Sequence, residues 1–212
     1  MLDADKYIRN PCRALATAFW KAAHFPLPPN VRIFHNHDAC SDFTESATAY
    51  FRLYNDLRIQ HDIVLPSGFH IRQIQIPHEA QMVADMINRC YPGYNHTADG
   101  IIRWTDYPVF DADLWLFVWD ELTNSPAASG IADFDKTIAE GSLEWIQVLP
   151  EYRGRSFGQA IVMEILNRLK RGKNAAFATV SGECNNATNP EKLYRKCGFI
   201  GDDVWYVKNF RG

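Results

Sequence analysis

The stretch Val148-Leu149-Pro150-Glu151-Tyr152-Arg153-Gly154-Arg155-Ser156-Phe157-Gly158-Gln159-Ala160 decides how this chain folds. Apolar residues from Leu143 to Leu149 lead into it as a strand does. Pro150 and a short basic turn follow. From about Phe157 the apolar positions take helical spacing, at Phe157, Ile161, Ile165 and Leu169, with Val162 and Leu166 widening the stripe. Gly172 ends that helix behind Lys170 and Arg171, which suit the negative end of the dipole. A helix start presents unpaired N–H groups and a partial positive charge, and glycine lets the backbone approach a ligand. Together these make a cradle for a phosphate or pyrophosphate. Taken alone, an RGxxxG turn is equally an ordinary strand-to-helix connection carrying a surface arginine pair.

Working outward, Phe69 to Ile74 alternates like a half-buried strand, and Pro77 opens a helix with Ala80, Val83, Ile87 and Cys90 on one face. Pro92-Gly93 stops it. Thr97 caps a second helix through Ile101, Ile102 and Trp104. Leu114 to Trp119 reads as a strand, Asn124-Ser125-Pro126 as a turn and Gly130 to Phe134 as the returning strand. Downstream, Ala175 to Val180 is a strand, Asn189-Pro190 starts a short last helix, and Val204 to Val207 closes the chain as a strand. The order predicts a mixed α/β domain whose sheet is mostly antiparallel and flanked by helices. Residues 68–212 form that domain in this reading. Residues 1–67 are an N-terminal extension with helical candidates near 13–23 and 47–57. Phe19, Trp20, Phe51 and Leu53 are too apolar for a solvated leader, so the extension is expected to pack on the main domain.

The bulk properties set limits on function. The chain has 212 residues, 47% apolar and 22% charged, with a net charge of -3. No Lys or Arg run stands out, which argues against nucleic acid or an anionic membrane as partner. No apolar run approaches the roughly 20 residues that cross a bilayer. Cys12, Cys40, Cys90, Cys184 and Cys197 are odd in number and widely spaced, without a CxxC pair. This is neither a disulfide framework nor a structural zinc site. Reduced thiols, together with the acidic start Met1-Leu2-Asp3-Ala4-Asp5, lead to the expectation of a soluble cytoplasmic protein. His35-Asn36-His37 has no third ligand nearby and reads as a polar turn, so no metal is expected.

Two motifs carry a resemblance to a known family. The stretch quoted first resembles motif A of the GNAT acetyltransferases, (Q/R)-x-x-G-x-(G/A) behind a strand. Arg153 and Gly158 match, and Ser156 stands where the first motif glycine is expected. The second is Asn189-Pro190-Glu191-Lys192-Leu193-Tyr194-Arg195-Lys196-Cys197-Gly198-Phe199, similar to the family's closing N…LYxKxGF signature. The resemblance covers residues 68–212. It implies a GNAT fold, acetyl-CoA as co-substrate and no metal. It also implies acyl transfer by direct attack of a primary amine, on a small molecule or a peptide. A homodimer is compatible with it.

The same resemblance assigns residues. N–H groups from Gly154 through Arg155, Ser156, Phe157, Gly158 and Gln159 hold the pyrophosphate, with Arg153 leading in. Ile146, Gln147 and Val148 pair with the pantetheine arm. Tyr194 donates to the departing CoA sulfur. Glu144 is the candidate base, and alternation puts it on one side with Ile146 and Val148 unless the bulge usual in this strand breaks the parity. The family's loop asparagine falls at Ala187 here, so Asn186 is its nearest substitute, while Asn189 is more economically the cap of the last helix. Tyr94, Asn95, His96, Trp104, Asp106 and Tyr107 lie in the helix pair that walls the family's acceptor pocket. Ser156 and the displaced asparagine keep a second class open, a non-catalytic acyl-CoA sensor. Transfer to a nucleophile other than an amine is a third.

Overall fold

The computed structural model describes residues 2–38 and 46–210, so Cys40 lies outside the described residues. The chain forms two compact units, residues 57–176 and residues 1–56 with 177–212.

The unit of residues 57–176 is an antiparallel meander. Strands β3 (Phe69–Gln73), β4 (Trp115–Asp120), β5 (Ser125–Asp135) and β6 (Glu140–Val148) pair in sequence order. Helices α4 (Ala80–Cys90) and α5 (Ala98–Trp104) join β3 to β4, and α6 (Phe157–Lys173) follows β6. As the sequence implies, Thr97 caps α5, its side chain accepting from the Gly100 N–H. One buried cluster joins α4 and α5 to the meander through Val83, Ile87, Ile101, Trp115, Phe117 and Ile131. Phe157, Ile161, Ile165 and Leu169 of α6 are all buried. A side chain on Gly130 would run into Ile161, and one on Gly141 into Leu169, so two glycines bring α6 down onto β5 and β6. The segment before β3 is tied to α6 by Asn167, which accepts from the His61 N–H at 3.0 Å and donates to its carbonyl at 2.9 Å.

The other unit has the strand order β1 (Val31–His35), β8 (Ile200–Asn209), β2 (Thr48–Asn55), β7 (Phe177–Glu183), every pairing antiparallel. Helices α1 (Ala4–Arg9), α2 (Pro11–Ala14), α3 (Phe19–His24) and α7 (Pro190–Lys196) complete it. The extension thus supplies helices, with two short ones where one is expected near 13–23, and also two strands that pair with the chain's closing elements. The helical reading of 47–57 is corrected here. Residues 48–55 form a strand in which Phe51, Leu53 and Asn55 share one face and Tyr50, Arg52 and Tyr54 the other. Arg52 is buried and donates to Tyr7 Oη at 2.8 Å, Ser181 Oγ at 2.9 Å and Thr179 Oγ1 at 3.3 Å. These long-range partners, invisible in local periodicity, hold an arginine inside a strand. His35 ends β1 and is 2% exposed. Arginine can only donate, so its 2.6 Å contact makes His35 Nδ1 an acceptor, and Nε2–H then donates to Asp203 at 2.7 Å. Both ring nitrogens are therefore spent on joining α2, β1 and β8.

Ahead of α4, Glu79 accepts from Arg72 at 2.5 and 2.9 Å and from the Gln75 N–H at 2.8 Å. The Arg72 hydrogen bond holds the Glu79 carboxyl below its ordinary value of 4.5. A carboxylate with a lowered folded-state pKa stabilises the fold above its unfolded value, and that stability drains away as pH falls through the folded value. Glu79→Gln should therefore lower Tm at neutral pH, at a cost of roughly 1–2 kcal/mol. The gap between variant and parent should close as both are melted at pH values descending below 4.5. A gap independent of pH would mean that the charge of Glu79 contributes nothing.

Candidate active site

Strand β6 ends at Val148, a 3-10 turn spans Pro150–Tyr152, and α6 begins at Phe157. Between them Gly154 has φ 82° and Ser156 φ 62°, both left-handed. A Cβ at Gly154 would meet nothing within 4 Å, so this glycine answers a backbone need and not a steric one. Ser156 is the N-cap of α6, yet its side chain makes no capping hydrogen bond. Ser156 thus leaves the start of a long helix uncapped beside two left-handed residues, an arrangement suited to an anion. It fits the pyrophosphate of a nucleotide-like cofactor. The left-handed backbone also explains why the motif asks for glycine at position 156, where this chain carries serine.

The loop is braced from below. Arg153 Nε donates to the Val148 carbonyl at 3.4 Å. Arg155 lies over the rings of Tyr152 at 5.5 Å and Phe69 at 5.8 Å. Tyr152 donates to Asp120 at 2.7 Å, which holds the Asp120 carboxyl below the usual carboxylate range. Phe157 is 1% exposed and packs on Phe69, with centroids 4.7 Å apart. Arg155, Tyr152, Phe69 and Asp120 line a cavity of about 400 Å³ beside the loop.

In β6 the register slips: Gly130 pairs with Ile146 but Ala132 with Leu143, so Glu144 and Trp145 stand opposite Ile131 alone. This bulge breaks the strict alternation of Glu144, Ile146 and Val148. Ile146 faces α6, because a Cβ on Gly130 would meet it together with Ile161. Trp145 packs against the cluster under α4 and α5, and Glu144 just before it is half-buried. Gln147 is 3% exposed, and its amide has no hydrogen-bond partner among the described residues.

Around the bulge stands an aromatic wall. Trp145 stacks on Trp104 at 5.9 Å and meets the edges of His96 at 5.2 Å, Tyr94 at 5.4 Å and Tyr91 at 5.5 Å. Tyr91 donates to the Ile146 carbonyl at 3.0 Å, and burial pushes its phenol up to about 12. Asn88 exchanges two hydrogen bonds with the His96 backbone, at 2.8 and 2.9 Å. Against this wall lies a cavity of about 480 Å³. Asn95, His96, Trp104, Asp106 and Tyr107, singled out by the sequence, all line it, and Tyr94 stacks on His96. Arg103 and Gly100 line it as well. The sequence reading misses both, and it misses Trp145. Arg103 is legible as the residue one helical turn beyond Gly100, whereas Trp145 reaches the wall only through the bulge.

The remaining predicted residues lie in the other unit. Tyr194 is 5% exposed, its ring against Phe199 at 5.7 Å and Phe51 at 6.1 Å. Asn189 caps α7 from a left-handed backbone, accepting from the Lys192 N–H. Asn186 Oδ1 is engaged locally by the N–H and hydroxyl of Thr188, at 2.9 and 2.7 Å.

A mixed α/β fold with an uncapped helix start behind a left-handed turn is the architecture the structure shows here. Residues 113–200 match the family model described as an acetyltransferase (GNAT) domain. No curated protein matches the chain. Among solved structures it is similar to a GCN5-related N-acetyltransferase from Sphaerobacter thermophilus, with 15% identity, TM-score 0.69, and 79% of this chain and 53% of that one covered. A tandem GNAT protein from the clavulanic acid biosynthesis pathway gives 14%, 0.59, 78% and 54% in the same terms. The ribosomal-protein-S18-alanine N-acetyltransferase of Escherichia coli gives 13%, 0.52, 68% and 95%. At these identities the likeness is one of fold. The chain spans about half the length of the first two.

Ser156 offers a direct test of the cradle's backbone. A left-handed non-glycine residue costs about 1 kcal/mol, and the more flexible unfolded chain of a glycine variant offsets part of any gain. Ser156→Gly should raise Tm by roughly one to two degrees, while the β-branched Ser156→Val should lower it. A glycine variant that melts below the parent would show that the hydroxyl, and not the backbone, matters here.

Proposed function

We propose that this domain transfers an acyl group, acetyl in the first instance, from CoA to a primary amine. The observation that carries the reading is the left-handed Gly154–Ser156 turn opening onto the N-terminus of α6, which the Ser156 side chain leaves uncapped. CoA supplies an activated thioester and a pyrophosphate for that turn to hold. N–H groups of residues 154–159 grip the pyrophosphate, Arg153 and Arg155 add positive charge, and the backbone of Ile146, Gln147 and Val148 pairs with the pantetheine amides. Glu144, beside the bulge, takes the proton of the attacking amine, and the Tyr194 hydroxyl donates to the departing sulfur. Support for Tyr194 is its place in the LYxKxGF motif, and for Glu144 its place on β6 at the bulge. The acceptor enters along the aromatic wall of α4, α5 and Trp145. The domain acts in the cytoplasm in this reading.

CoA at about a hundred times its dissociation constant should stabilise the protein by roughly 2.7 kcal/mol, read as a rise in Tm. Gly158→Asp sets a carboxylate beside the pyrophosphate and should abolish that rise while the variant still melts cooperatively. A folded Gly158→Asp protein that binds CoA like the parent would remove residues 154–159 from the cofactor site.

Tyr194→Phe separates an enzyme from an acyl-CoA sensor. The ring still packs on Phe51 and Phe199, so CoA affinity should hold, while transfer to the amine should slow by roughly ten- to a thousandfold. Equal single-turnover rates for parent and variant would take Tyr194 out of the mechanism. A parent that binds CoA and acylates no amine would favour the sensor.

A further inference from the structure

The cavity along α5 carries two opposite charges that are not used to hold the fold. Arg103 and Asp106 both line it, on one helical turn and its exit. Neither side chain makes a hydrogen bond or ion pair among the described residues, with each other or with any neighbour. Both residues are exposed, whereas the half-buried pairs Arg72–Glu79 and Arg168–Glu164 close at 2.5 and 2.7 Å. His96 and Trp104, edge to face at 5.2 Å, give the cavity an aromatic side that runs back to Trp145 on β6. Its volume of about 480 Å³ suits a small metabolite better than a folded chain.

From this, and resting on the acyltransferase reading above, we infer that the acceptor is a free diamino acid, an α-amino acid whose side chain ends in a primary amine. Arg103 takes the α-carboxylate, for which its planar fork is matched. Asp106 takes the α-ammonium. That contact keeps the α-nitrogen protonated, and a protonated nitrogen has no lone pair to attack with. The reacting nitrogen is therefore the second one, carried past Trp104 and His96 on a methylene chain that packs against their rings. The neutral side-chain amine forms the new C–N bond to the acetyl carbon as the C–S bond breaks. The proton lost by nitrogen balances the thiolate, and the products are the side-chain N-acetylated amino acid and free CoA.

The test compares lysine with cadaverine, which has the same two nitrogens and no carboxylate, and with 6-aminohexanoate, which lacks the α-amine. With acetyl-CoA, lysine should be the best of the three, and mass spectrometry should place the acetyl group on its side-chain nitrogen. Arg103→Gln should lower the lysine-to-cadaverine ratio of kcat/KM by roughly ten- to a hundredfold, the scale of one charged hydrogen-bonded pair. Asp106→Asn should lower the lysine-to-6-aminohexanoate ratio in the same way. Cadaverine used as well as lysine, acetylation of the α-nitrogen, or ratios unmoved by either variant would overturn the inference. Calorimetry of lysine binding to the parent and to Arg103→Gln supplies a readout without turnover. Arg103-dependent lysine binding in a protein that shows no CoA-induced rise in Tm would support the cavity and sink the acyltransferase reading. Robust CoA binding with no Arg103-dependent lysine binding would do the reverse.

Discussion

Helix α6 lies where it does because Gly130 and Gly141 present no side chain to it. A methyl group on either would meet Ile161 or Leu169 outright, and overpacking of that kind costs about 1–3 kcal/mol. The close approach fixes the axis of α6, and with it the point in space where the helix begins. Once that point is fixed, the eight residues from Leu149 to Ser156 must climb from the end of β6 to the first turn of α6. They do so with two left-handed residues, one glycine and one serine. The left-handed turn proposed as the anion cradle is thus a consequence of helix-to-sheet packing. The aromatic floor of Phe69, Tyr152 and Phe157 and the Tyr152–Asp120 hydrogen bond keep the loop from relaxing into another path.

The β6 bulge is the second constraint, and it connects cofactor strand and acceptor wall. By setting Glu144 and Trp145 against one residue, it turns Trp145 toward α4 and α5 while Ile146 stays under α6. Tyr91 then reaches the Ile146 carbonyl, and burial keeps its hydroxyl protonated far above neutral pH, so the link does not titrate under physiological conditions. The Asn88–His96 exchange fixes the loop between the two helices. A displacement of α5 would therefore be felt at the strand proposed to pair with the cofactor. That coupling runs through packed rings and one hydrogen bond, contacts that are discrete and resist gradual deformation.

Much of this is legible in the sequence because the relevant signals are local. Helical periodicity marks α4 and α6, the Thr97 and Asn189 caps mark the starts of α5 and α7, and the strand–turn–helix order marks the cradle. What escapes is long-range. The aromatic-rich stretch 47–57 is read as helical, yet it forms a strand whose Arg52 is satisfied by Tyr7, Thr179 and Ser181 from distant parts of the chain. Strand β1 is hidden for the same reason: its partner is the last strand of the chain. His35 and His37 raise the question of a metal in isolation, but Arg13 and Asp203 already claim the His35 ring. Within the candidate site, the pattern points to five of the residues along the α5 cavity and not to Trp145, which only a bulge could bring there.

The cysteines bear on mechanism. A covalent acyl-enzyme would need a thiol that ionises near neutral pH, which calls for a cationic or helix-start environment and partial exposure. Here burial acts in the opposite direction. It pushes the Cys197 thiol up to about 12, and it raises Cys90 against the pull of Arg153 and Arg89. Cys184 is raised too, by burial first and then by Glu191. Charge of the right sign stands next to Cys90 and still loses to desolvation, because its thiol is turned inward toward the Val148 carbonyl at 3.6 Å. A thiolate at that position would face the carbonyl's negative end. Cys90 and Cys197 are therefore packing groups, and none of the three thiols is set up as a nucleophile, in keeping with the proposed direct transfer to an amine.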